Sequence, residues 1–131
     1  MESSSSHLYE RLGGEIGIER LVGRFYERVQ ADEHLAPFFE HVPMGRLKMM
    51  QKEFFSEAVG GPLYYTGRSL RQVHAGRGIR KEDLRRFTGH LVATLKEAEK
   101  ELGISPQETH AIYSRIAIEA DRITDDVTES A

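Results

Sequence analysis

The stretch EIGIERLVGRFYERVQA, residues 15–31, decides the fold class. Ile18, Leu21, Val22, Phe25, Tyr26 and Val29 return at three- and four-residue intervals, so a helix gathers them on one apolar stripe. Gly13-Gly14 breaks the pattern upstream. Downstream, Asp32 to Phe39 reads as a short turn or helical piece, because Pro37 stops a long regular element, and it leaves Phe38 and Phe39 at a corner.

Further along, Leu47, Met50, Gln51, Phe54, Phe55 and Ala58 form a second stripe over residues 46–59, closed by Gly60-Gly61-Pro62. Residues 60–80 are rich in breakers and read as an irregular connection, interrupted by one helical turn around Leu70, Val73 and His74. A third stripe runs through Leu84, Phe87, Leu91, Leu95, Ala98 and Leu102 to Gly103, where a glycine suits a helix C-terminus. Ser105, Pro106 and Glu108 then supply an N-cap, a first-turn proline and a capping-box carboxylate ahead of Ile112, Ile116, Ala120 and Ile123. With no strand pattern and no repeat, the prediction is an all-α chain with one long loop, and a long loop in a small helical domain often has a function.

The length of 131 residues suits one domain with one core. Composition is that of a folded protein, with 39% hydrophobic and 30% charged residues. The 18 basic and 21 acidic residues read as spread along the chain, which argues against nucleic acid and anionic membranes as partners. Neither a membrane span nor a signal peptide is visible, so the expected location is cytoplasmic. The absence of cysteine excludes disulfides, thiolate-held zinc, iron–sulfur clusters and thioether-linked haem, leaving His, Asp, Glu or Met for any metal. Residues 1–7 and 126–131 are expected to be frayed tails flanking a domain over 8–125.

Two polar side chains stand in apolar stripes. Gln51 lies one turn from both Leu47 and Phe55, and Tyr26 shares a face with Val22 and Val29. Buried without partners, such groups cost a few kcal/mol. Either they satisfy each other or the backbone, or they serve a ligand. His74 precedes Ala75-Gly76, small residues that leave room for a bulky planar group, although a histidine capping a turn explains the same pattern. No histidine has a glutamate three residues before it, as a di-iron bundle requires, and no nucleophile, phosphate-loop or zinc motif is present.

Taken in order, Leu8-Tyr9, Leu12-Gly13-Gly14, Phe25-Tyr26-Glu27-Arg28-Val29, Leu35-Ala36-Pro37-Phe38-Phe39, Arg46-Leu47-Lys48, Gln51, Phe54-Phe55, Gly60-Gly61-Pro62, Tyr65-Thr66-Gly67, Val73-His74 and Gly76-Arg77-Gly78-Ile79 carry a resemblance. The chain resembles the truncated haemoglobins, and most closely their group I, over about residues 8–125. The resemblance implies a two-over-two helical sandwich around a non-covalent haem b. It makes His74 the proximal iron ligand, Phe39 the aromatic wedged against the porphyrin, and Tyr26, Leu47 and Gln51 the distal pocket. A phenol O–H and an amide N–H are suitable donors to the negative charge that develops on bound dioxygen.

By the same resemblance Phe54 and Phe55 border an apolar tunnel, beside their plain reading as core residues, and Arg46, Lys48, Tyr65 and Arg71 are candidates for the haem propionates. The sequence departs from the family's usual pattern at Met50, where relatives often place a cation or histidine. A thioether there or at Met49 is chemically able to be a sixth ligand, although methionine on a core face more commonly fills space. Two functions follow. One is oxidation of nitric oxide to nitrate, which needs an external reductase because no flavin or nicotinamide domain is present. The other is non-catalytic storage, delivery or sensing of oxygen. A haem-free interaction domain would leave His74, Tyr26 and Gln51 without a shared purpose.

Overall fold

The computed structural model describes residues 4–63 and 80–130, with side chains over 8–63 and 80–118. These residues form helices and turns and no strand. In order they are α1 (Ser4–Arg11), α2 (Gly14–Ala31), a 3₁₀ turn (Ala36–Phe39), α3 (Met44–Ala58), α4 (Lys81–Leu102) and α5 (Pro106–Ser130). Helix α1 lies where no apolar stripe announces one; Leu8 and the following Leu12 are buried in the core, and Tyr9 packs against it.

Helix α2 is the hub. It packs on both α3 and α4, while α5 closes against α3 and α4, which produces the two-over-two arrangement. The α2 stripe is buried as its periodicity requires, from Ile18 through Val29. The third stripe is not buried throughout. Leu91, Leu95 and Ala98 are covered, but Leu84 and Leu102 at its ends are 48% and 37% exposed. Spacing marks a face of a helix, and the neighbouring elements then set how much of that face is sealed.

Several helix ends follow the chemistry of their residues. Gly103 terminates α4 in the left-handed region at φ 68°, a conformation glycine adopts without a Cβ penalty. At the start of α5, the Glu108 backbone N–H donates to Ser105 Oγ at 3.1 Å and the Ser105 N–H donates to Glu108 Oε1 at 2.9 Å. That is a reciprocal capping box. Arg11 extends it into a tertiary clip: Nε and Nη2 donate to Glu108 at 2.8 and 3.1 Å, and Nη2 also reaches the Gly103 carbonyl at 2.8 Å.

The turn between α1 and α2 depends on a close backbone approach. A Cβ on Gly17 would lie 1.7 Å from the Leu12 carbonyl oxygen. Gly17→Ala must therefore part α1 from α2, at the roughly 1–3 kcal/mol typical of overpacking. The midpoint of urea unfolding is expected to fall; an unchanged midpoint would show that the contact is not required.

Acid sensitivity follows from the Arg11 clip. Hydrogen bonds from Arg11, then from the Ser105 backbone, lower the Glu108 carboxyl from 4.5 to about 2. A depressed carboxyl stabilises the fold fully above its unfolded value, and that contribution disappears as pH falls through the folded one. Between about pH 5 and pH 2, Arg11→Gln is expected to lose less stability than the parent chain. Urea melts across that range test this, and equal pH slopes in the two proteins would contradict it.

Candidate functional site

Tyr26 lies two-thirds of the way along α2, on the stripe facing α3 and α4, and is 2% exposed. Its ring is enclosed by phenylalanines. Phe25 is at 4.9 Å between centroids, Phe39 from the 3₁₀ turn at 6.0 Å and Phe87 from α4 at 6.1 Å. Edge and tilted contacts of this kind each add about 0.5–1.5 kcal/mol beyond area burial, and they fix ring orientation. A polar hydroxyl is thus carried into a predominantly aromatic setting.

Helix α3 supplies the next wall. From Phe54 onward it is sealed, with Phe54, Phe55, Ser56 and Ala58 buried. Its earlier turns differ: Leu47, Met50 and Gln51 share the same face by spacing but are only half-buried. Gln51 is therefore less enclosed than a fully buried stripe implies. Phe39 is half-buried as well. Phe54 and Phe55 stand 6.0 Å apart in the aromatic core, with Phe55 stacked on Phe25 at 6.1 Å, which agrees with their plain core reading. Arg46 is exposed and Lys48 half-exposed near the start of α3. His74, Tyr65 and Arg71 lie outside the described residues.

Ser56 holds the turn that follows α3. Its carbonyl accepts from the Gly61 N–H at 2.7 Å and its hydroxyl accepts from the Leu63 N–H at 3.3 Å. The Arg80 N–H donates to Asp83 Oδ2 at 2.9 Å, capping α4.

A polar cluster not foreseen from sequence lies at the far end of α2. Asp32 accepts from the His34 backbone N–H at 2.8 Å, from Arg86 Nε and Nη2 at 3.2 and 3.0 Å, and from His90 Nε2 at 2.8 Å. Arg86 first, and His90 next, hold the Asp32 carboxyl well below the usual carboxylate range. Asp32 and His90 are 58 residues apart, so no local spacing reveals the pair. Among the described residues, no set of three or more His, Cys, Asp or Glu side chains is placed to hold a metal ion.

Comparison with known proteins agrees with this geometry. The bacterial-like globin family model matches residues 7–124. A group 1 truncated haemoglobin of Mycolicibacterium paratuberculosis is 40% identical over 116 residues, covering 88% of this chain and 82% of that protein. The ferric truncated haemoglobin of Tetrahymena pyriformis superposes with a TM-score of 0.73 at 31% identity, over 84% of this chain and 91% of that one. A Synechococcus 2/2 haemoglobin, solved in the cyanomet state with covalently attached haem, gives 0.76 at 29% identity, over 90% and 98%.

The helical sandwich is that of a shortened globin. The chain belongs to the bacterial-like globin family, as a truncated haemoglobin of group 1. Its cofactor is haem b, and its ligands are diatomic gases. The described residues fit a haem on one observation in particular. The 3₁₀ turn and the first turn of α3 leave Phe39 and Leu47 half-covered against the buried core that holds Tyr26, an apolar boundary suited to a flat apolar macrocycle. No helix among the described residues is long and apolar enough to cross a membrane.

Proposed function

We propose that the chain binds dioxygen tightly at ferrous haem and supports conversion of nitric oxide to nitrate. The observation that carries this reading is the Tyr26 phenol, almost wholly buried among Phe25, Phe39 and Phe87. Water competes poorly for a hydroxyl in such a place, so its hydrogen bond to a ligand has full strength.

When bound, haem supplies the iron that takes up dioxygen and passes negative charge to it. The side chains do the rest. His74 would hold the iron, and Tyr26 and Gln51 would donate hydrogen bonds to the bound gas. Phe39 would wedge against the porphyrin, Leu47 would line the gas pocket with Tyr26 and Gln51, Phe54 would border the apolar route to it, and Met50 would fill space. Arg46, Lys48, Tyr65 and Arg71 bind the propionates. Nitric oxide, dioxygen and one electron together give nitrate, and the electron comes from a separate reductase. The expected setting is the cytoplasm.

At roughly 1.5–3 kcal/mol for a hydrogen bond to a charged group, Tyr26→Phe and Gln51→Ala are each expected to speed oxygen dissociation by about tenfold to a hundredfold. Stopped-flow displacement of oxygen by carbon monoxide measures this, and parental rates in both variants would overturn the distal assignment. His74→Ala is expected to lose haem while keeping its helical circular dichroism; retained haem would remove His74 from its role. With a reductant supplied, continued nitrate formation from nitric oxide supports turnover, whereas one equivalent of nitrate per haem points to oxygen storage.

A further inference from the structure

We propose that Phe87 is the positioning residue for Tyr26, setting where its phenol points and thereby the rate at which oxygen leaves. This rests on the reading of Tyr26 as a ligand donor. Phe87 itself stands on α4 and reaches α2 across the helix interface, where it meets two rings at once. It contacts Phe25 at 4.9 Å with the planes at 65°, and Tyr26 at 6.1 Å with the planes at 63°.

The three ring contacts of Tyr26 among the described residues constrain it differently. Phe25 is adjacent on the same helix, so it moves with Tyr26 as α2 moves. Phe39 sits on the short 3₁₀ turn at 77° to the phenol ring and, like Phe87, is half-buried. Phe87 is the contact that comes from a long, separately anchored helix, whose middle is fixed by buried Leu91 and Leu95. Phe39 and Phe87 both meet the phenol steeply, and such contacts resist rotation of the ring about its Cα–Cβ bond. Without the Phe87 ring, Tyr26 loses its ring contact from α4, and the hydroxyl is expected to sample orientations that miss the ligand more often.

A core residue with no positioning role behaves differently when shortened. It lowers stability and haem retention, yet leaves oxygen rates unchanged in the molecules that remain folded. The test compares haem-loaded parent, Phe87→Leu, Tyr26→Phe and the double variant. Phe87→Leu is expected to accelerate oxygen dissociation by about threefold to tenfold, the range that one aromatic pair supports. The double variant is expected to be no faster than Tyr26→Phe alone, because the two changes remove one hydrogen bond. In the carbon monoxide complex, the carbonyl stretching band of Phe87→Leu is expected to gain a component at the Tyr26→Phe frequency. Phe87→Met replaces Phe87→Leu should the latter fail to take up haem. Parental rates in Phe87→Leu, or additive effects in the double variant, overturn the positioning role while leaving Tyr26 as donor. Parental rates in Tyr26→Phe overturn both.

Discussion

The structure depends on the seating of α2 between α3 and α4. One stripe on α2 has to satisfy two partners, and the aromatic residues do this by meeting rings on both sides: Phe55 from α3 and Phe87 from α4. The dispersion and area terms that hold the sandwich together are the same contacts that enclose the Tyr26 phenol. Under the proposed role of Tyr26, stability and gas chemistry share side chains, which constrains how either is altered without the other.

Around this core the polar groups act as clips at helix ends. Arg11 joins the end of α1 to the start of α5 through Glu108. Asp32 joins the end of α2 to α4 through Arg86 and His90. Lys52 joins α3 to the start of α2 through Glu15, at 2.8 Å. Arg24 and Arg28 pair with Glu97 along the outer seam of α2 and α4. Pairs as exposed as those of Arg24 and Arg28 with Glu97 contribute little each, typically below about 1 kcal/mol. Their value is directional, because they select one register of helix against helix that apolar contacts alone leave loose.

Much of the fold was legible because a helix must place its apolar residues every three or four positions, and the stripes of α2, α3 and α4 do so. The Ser105, Pro106, Glu108 start and the Gly103 stop were readable for a local reason, since caps are made by residues within one turn. Helix α1 escaped notice because two leucines make too short a pattern. Tyr26 and Gln51 were conspicuous as polar residues on apolar stripes, but their enclosure differs: Tyr26 is sealed and Gln51 half-covered. The Asp32 and His90 pair was invisible, since chain separation hides a contact that folding creates.

The sequence by itself determined the helices, their apolar faces, the cysteine-free chemistry available to a metal, and the residue types offered to a ligand. These are properties of local backbone geometry and of side-chain composition. Tertiary structure decided which rings surround Tyr26, how much of each stripe is sealed, and which charges meet. Those outcomes arise where helices distant in sequence come together, and a periodic pattern carries no information about the face that will be opposite it.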